Sequence, residues 1–387
     1  MRIYLDHNAT TPLDPSVADR MAQALREVWG NASSVHHFGQ QAKAALDEAR
    51  AAVATLLSAD PSEIIFTGGG TEADNLAIRG AAEALEAAGR RHLITSAIEH
   101  EAVLNTMKAM ARRGWRVTTL PVDTSGIVAP DRLREALTDD TALVSVMHAN
   151  NEIGTVQPIA ELAAMAHERG ALFHTDAVQS AGKLAIDVRA LGVDLLSIAA
   201  HKFYGPKGAG ALWVRRGVRL LPCITGGKQE RGRRAGTENV PALIGLGVAA
   251  DVARQKIATE GPRLAALRDR LEAGILSAIG STERNGAASP RVPNTTNISV
   301  DRVEAESLLI GLDLAGIAVS SGSACSSGTL EPSHVLKAMG YPHARTLGSI
   351  RFSLGTSNTE AQVDRVIAAL PPIVEKLRSL TTVGVKK

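Results

Sequence analysis

Cysteine is scarce in this chain. Only Cys223 and Cys325 occur in 387 residues, with no CxxC pair and no His/Cys cluster at metal-ligand spacing. Neither a disulfide framework nor a zinc site is indicated, and any cysteine chemistry is expected to be that of a lone thiol. An excess of one charge is missing too. The 42 basic and 40 acidic residues leave a formal +2, too little for a whole-molecule field that would hold nucleic acid or an anionic membrane. No direct nucleic-acid binding and no membrane attachment are expected. Long apolar runs are also lacking: the longest, around Val240 to Ala253, is too short to span a bilayer. The opening MRIYLDHNATTP puts an acidic residue and a turn where a secretory signal needs an apolar segment. The chain reads as cytoplasmic, and it carries no internal repeat or low-complexity segment.

What is present is enough apolar residue, 45% of the chain, for one large core and a second smaller one. Val17, Met21, Leu25 and Val28 recur at helical spacing and stop at Gly30, which predicts an amphipathic helix closed by a glycine. Short apolar runs then follow one another: Ile64 to Phe66, His92 to Thr95, Arg116 to Leu120, Leu143 to Met147, Ala171 to His174, Asp194 to Ala199 and Gly210 to Val214. Turn residues or helical segments separate them, the pattern of an α/β domain with a largely parallel sheet. A helical stretch from Asn239 to Leu276, broken near Pro262, is expected to lead out of this domain. The boundary is placed near residue 255, giving a large domain over 15–255. A smaller α+β domain over 256–387, joined by the N-terminal segment 1–14, would contain strands at Thr296 to Val300 and Ile350 to Leu354.

Three stretches of the large domain could carry chemistry together. Ile64 to Asn75 runs from a strand through Gly68, Gly69 and Gly70 into a helix, so backbone N–H groups and the Thr71 hydroxyl would converge on an anion. The stretch lacks the Lys-Ser/Thr of a P-loop and the spacing of a dinucleotide fingerprint, and alone it is more often just a tight turn. Asp176 follows a strand, where ligands bind in open α/β sheets, and could hold a protonated ring nitrogen; a helix N-cap is its plainer reading. Lys202 follows another buried strand, in glycine-rich surroundings, where desolvation would free its amine to form a Schiff base, although most lysines are simply solvated. An anion cup, a ring-nitrogen carboxylate and an imine-forming lysine are what a pyridoxal-phosphate site needs. His100 could stack on the ring and shuttle protons, or could merely cap a helix.

A second loop, Ser320 to Thr329, has Cys325 as its only strongly reactive side chain. Built of small residues, it is expected to be mobile and exposed. Cys223, among Leu220, Leu221 and Ile224, fits a buried small hydrophobe far better.

These motifs resemble the cysteine desulfurases of the NifS/IscS type, in the class V aminotransferase group. The likeness rests on Tyr4-Leu5-Asp6 with Asn8 to Pro12, Thr71-Glu72 with Asp74-Asn75, and His148 with Asn150 to Gly154. It continues in His201-Lys202 with Gly205 to Gly208, Glu230-Arg231-Gly232 with Gly236-Thr237, and Ser321 to Cys325. It implies the pyridoxal 5'-phosphate-dependent fold type I, with a mainly parallel seven-stranded sheet in the large domain. It further implies that Lys202 holds the cofactor and moves the substrate Cα proton, that His100 stacks on the ring, that Asp176 pairs with its nitrogen and that Gln179 meets its oxygen. Gly70, Thr71 and His201 would take the phosphate, with Thr237 arriving from the second subunit of a homodimer. Asn151 and Arg351 would hold the carboxylate of L-cysteine, an arginine offering bidentate geometry, though a surface ion pair is the commoner use of one. Cys325 would take the sulfur as a persulfide and pass it to an acceptor protein such as an iron–sulfur scaffold, leaving L-alanine. Where the family usually has a serine that binds the phosphate, this chain has Ala199, a loss of about 1.5–3 kcal/mol if one charge-assisted bond goes. An aminotransferase, a selenocysteine lyase and a cofactor-free scaffold paralogue are the alternatives; the first leaves the Cys325 loop unexplained.

Overall fold

In the computed structural model the residues described are 2–286, 290–321 and 332–384. The chain opens with β1 (Ile3–Tyr4), α1 (Pro15–Glu27) and α2 (His37–Leu56). An alternating run follows: β2 (Ile64–Thr67), α3 (Gly70–Glu86), β3 (His92–Ser96), α4 (Glu101–Arg112), β4 (Arg116–Leu120), α5 (Pro130–Ala136) and β5 (Thr141–Ser145). It continues through α6 (Ile159–Glu168), β6 (Leu172–Asp176), α7 (Val188–Leu191), β7 (Leu195–Ala199) and β8 (Gly210–Val214). After it come α8 (Val240–Ala278), β9 (Thr282–Asn285), β10 (Thr295–Val300), α9 (Ala305–Leu314), β11 (Ile317–Ala318), α10 (His334–Ala338), α11 (His343–Leu347), β12 (Ser349–Ser353) and α12 (Glu360–Gly384).

Strands β2 to β8 form one seven-stranded sheet in the order β2-β8-β7-β6-β5-β3-β4. Only β8 runs against its neighbours; the other pairings are parallel. The runs that read as continuous apolar stretches are buried throughout, as in β3, β5 and β7, because helices cover both faces of such a sheet. One face packs on Val53, Leu162, Phe173 and Leu246, the other on Leu76, Ile78, Val103 and Met107. With β2, β3, β5, β6 and β7 pointing the same way, their C-terminal ends share one edge, and the site lies there.

A three-stranded antiparallel sheet, β12-β10-β9, builds a further core with Leu271, Ile298, Phe352 and Val366. The N-terminus belongs to this core: β1 pairs in parallel with β11, and Ile3 and Leu5 are buried in it.

Two local expectations are corrected. Pro262 does not break the long helix, which runs unbroken as α8 for 39 residues. An interior proline costs about 3 kcal/mol, and burial on both sides of it outweighs that: Leu243, Leu246 and Ala250 sit in the large core, Leu264, Leu267, Leu271 and Ile275 in the other. Nor does Gly30 cap α1, whose C-cap is Val28. Gly30 is needed for closeness instead, since a Cβ there would stand 2.1 Å from the Phe38 carbonyl oxygen.

Candidate active site

At the shared strand edge lies a cavity of about 390 Å³ lined by Gly70, Thr71, His100, Asn151, Asp176, Gln179, His201, Lys202 and Arg351, among others. Nine residues named from sequence thus converge. Thr237 is exposed and does not line the cavity of its own chain. Cys325 lies outside the described residues.

The cup is the turn between β2 and α3. Gly69 adopts φ +150°, a conformation that L side chains rarely take, and as N-cap it offers no side chain to the helix. The first N–H groups of α3 are therefore left to an incoming anion. Gly70 is a close-approach glycine, where a Cβ would meet Val178 at 2.8 Å. Outside the cup, Glu72 pairs with Arg234 at 2.7 Å, which ties the 230–237 loop to the start of this helix.

Asp176 is the last residue of β6 and is buried. The N-cap reading is not what the chain does: its Oδ1 accepts the Val178 N–H at 2.8 Å in a turn. Burial raises its pKa, while His100 and Lys202 pull it back down. Two further carboxyls crowd the same region. Burial, then Asp176, raises the Asp74 pKa well above the usual range, and burial pushes Glu99 up to about 8. Asp74, which lines the cavity, has a buried Oδ1 without a hydrogen-bond partner, so this wall favours a cationic group.

Lys202 follows β7 in a single helical turn. Its amine donates to the Asn8 carbonyl at 2.6 Å and the Ala9 carbonyl at 2.8 Å. Burial, aided by Arg351, lowers its pKa to about 8. The free base is therefore accessible near neutrality, which a nucleophilic or proton-abstracting lysine requires. His201, next to it, is held neutral, its pKa lowered to about 4 by burial and by Lys202. His100 caps α4, accepting from Ala102 N at 3.1 Å, and it also lines the cavity.

Arg351 is no surface residue. It is 4% exposed, pairs with Asp6 at 2.7 Å, donates to the Asn151 carbonyl at 3.0 Å, and keeps a buried Nε without a partner. Its uncommitted N–H donors suit a carboxylate. Cys223 is half-buried and packs beside the α3 face, its thiol pKa raised by burial.

Sequence reasoning gave no role to Asp6, Asn8, Asp74, Glu99 or Lys183. Lys183 is half-buried, and desolvation, with Lys202 nearby, lowers its pKa well below the usual value. Its signal was only a Gly-Lys pair after a turn. Asp6 and Asn8 stood in a motif whose partners lie up to 345 positions away.

An open α/β sheet with an anion-ready helix start, a buried carboxyl and a desolvated lysine at one edge defines the class of pyridoxal-phosphate enzymes of fold type I. Within that class the particular family is settled by comparison: the aminotransferase class-V model matches residues 3–366, and the chain belongs to that family. It is 52% identical to a cysteine desulfurase of Nostoc sp., over 98% of this chain and 94% of that one. It is 50% identical to the cysteine desulfurase IscS of Dictyoglomus turgidum, over 98% of this chain and 96% of that one. The solved NifS-like protein from Rickettsia africae superposes with a TM-score of 0.87 at 34% identity, covering 97% of this chain and all of that one. The family works with pyridoxal 5'-phosphate, and the residues present fit it: the uncapped helix start, the close-approach Gly70, the carboxyl wall and the Lys202 amine each match one part of that molecule.

Proposed function

We propose that the chain is a cysteine desulfurase, converting L-cysteine to L-alanine and carrying the sulfur as a persulfide on Cys325. The observation that carries this reading is the pairing of a Lys202 amine with its pKa near 8 and a buried arginine with a free Nε across one cavity. One holds an amino acid's Cα proton and the other its carboxylate. The relatives named cysteine desulfurase supply the substrate.

Pyridoxal phosphate, when bound, supplies the electron sink that lets the Cα proton leave. The N–H groups at the start of α3, Thr71 and neutral His201 would hold its phosphate, Asp176 its ring nitrogen, Gln179 its ring oxygen, and His100 would lie over the ring. Lys202 would anchor it and, once released, take the Cα proton on Nζ. Asn151 and the Arg351 guanidinium would orient the substrate carboxylate, so that the Cα–H bond faces Lys202. The Cys325 thiolate would attack the substrate sulfur: the S–S bond forms as the C–S bond breaks, and the electron pair of that bond remains with the carbon that becomes the alanine methyl.

The reading extends to the assembly. Thr237 would meet the phosphate bound in a second copy, which its exposed position on a loop tied down by Arg234 and Arg50 supports. The sulfur would pass to an acceptor protein such as an iron–sulfur scaffold, in the cytoplasm; among the described residues no helix is long and apolar enough to cross a membrane. Two structural domains would meet within α8, near residue 255, with segment 1–14 counted in the smaller.

The experiment is product analysis from L-cysteine with a reductant, comparing the native chain with Cys325→Ala at equal cofactor content. Stoichiometric sulfide and alanine from the former, with desulfuration lost in the latter, is expected. A cofactor-loaded native chain that releases neither product overturns the reading in favour of amino-group transfer.

A further inference from the structure

Asn8 is 1% exposed, and its polar atoms are committed in every direction. Its N–H donates to Ser353 Oγ at 2.9 Å. Its carbonyl accepts from Lys202 Nζ at 2.6 Å and from Gln179 Nε2 at 3.0 Å. The side-chain Oδ1 accepts from Lys183 Nζ and from Asn294 Nδ2, both at 3.1 Å. Nδ2 donates to the Asn151 carbonyl at 3.0 Å and to Thr295 Oγ1 at 2.8 Å. The same Asn151 carbonyl accepts from Arg351 at 3.0 Å.

Asn8 therefore stands between the two halves of the chemistry. Its backbone carbonyl touches the proton-carrying amine, and its side chain holds the carbonyl that Arg351 also grips. Lys183 and the Asn151 carbonyl together decide which way the amide faces. The Asn151 carbonyl can only accept, so Nδ2 must face it, and Oδ1 is then turned toward the Lys183 amine, which donates to it. Lys183 also donates to Gln179 Oε1 at 2.9 Å, setting that amide by the same logic.

We propose that Asn8, oriented by Lys183 and the Asn151 carbonyl, is the positioning residue that fixes the Lys202 amine relative to the Asn151–Arg351 carboxylate holder. The inference rests on the reading that Lys202 moves a Cα proton and Arg351 binds a carboxylate, and it does not depend on Cys325. The Asn8 side chain touches no reacting atom; it acts through its neighbours.

The test uses the holoenzyme and L-alanine, which has no sulfur to lose. Exchange of its Cα proton in deuterated water, followed by NMR, reads transfer at Lys202, and a titration of cofactor absorbance reads alanine binding. Misplacing a base by a fraction of an ångström to one ångström costs about 10- to 100-fold. Asn8→Ala is expected to slow exchange at saturating alanine about tenfold or more per bound cofactor, and to weaken alanine binding severalfold. Thr295→Val, which removes one acceptor of Nδ2 from outside the cavity, is expected to do the same in smaller measure and carries the test if Asn8→Ala does not fold. A merely structural role would lower the unfolding midpoint or the cofactor content without changing exchange per cofactor. Native exchange rates in folded, loaded variants overturn the inference. Exchange that depends on Asn8 in a protein that releases no sulfide from cysteine would leave it standing and remove only the desulfurase reading.

Discussion

The wall of the cavity supplied by the seven-stranded sheet and the wall supplied by the N-terminal segment with the three-stranded sheet differ in how their polar atoms are satisfied. On the sheet wall, Asp74 Oδ1 is buried without a partner, and burial raises the pKa values of Asp74 and Asp176. On the other wall, Asn8 has every polar atom bonded and Arg351 is paired with Asp6, with Nε its one buried nitrogen that has no partner. An unsatisfied buried carboxyl is costly in a resting protein. Its presence where a cationic ring would sit marks the sheet wall as the electrostatic half of the site. The other wall sets geometry.

The largest effect should come from the sheet wall. Lys202→Ala is expected to lower alanine release about a thousandfold or more, in line with losing a general base; a residual rate within tenfold of native would mean that another group moves the proton. Asp176→Asn, which keeps shape but removes the carboxylate, should cost about a hundredfold in turnover at saturating cofactor, and equal turnover would deny the sheet wall its electrostatic role. On the opposite wall, Arg351→Lys should act mainly on KM, raising it about tenfold because a point charge replaces a fork. A change confined to kcat would show that this wall does more than hold the substrate.

The smallest effect sharpens the contrast through stability. Asp74 has a folded pKa raised above its unfolded value of 3.8, so the folded chain keeps a proton that the unfolded chain releases. Its contribution therefore becomes more unfavourable as pH rises above about 4, by at most about 1.4 kcal/mol per pH unit until the folded pKa is reached. Asp74→Asn should gain on the native chain in urea unfolding of cofactor-free protein as pH goes from 5 to 7. A difference that stays flat with pH would mean that the carboxyl is already ionised in the fold.

Much of the sheet wall was legible because its signals are local. A glycine run, a strand-ending aspartate and a lysine after an apolar strand are each read within a few residues, and β4 and β8 fall where the apolar runs put them. The other wall was less legible. Its functional meaning lies in contacts such as Asp6 with Arg351, which no window along the chain spans, and β9 reads Thr-Glu-Arg-Asn, with no apolar alternation to announce a strand. Arg351 itself was found by resemblance, while its burial and its free Nε come from packing. The expected proline break failed because local propensity was overridden by two cores gripping one helix.

That helix has a consequence for how the molecule comes apart. With residues of α8 buried in both cores, no slack segment lies between them to let one melt while the other persists. Fraying the helix from either end strips apolar cover from its own core and removes the template that orders the next turn toward the other. Heat or urea should therefore take the cofactor-free chain through a single cooperative transition, with near-ultraviolet and far-ultraviolet dichroism changing together.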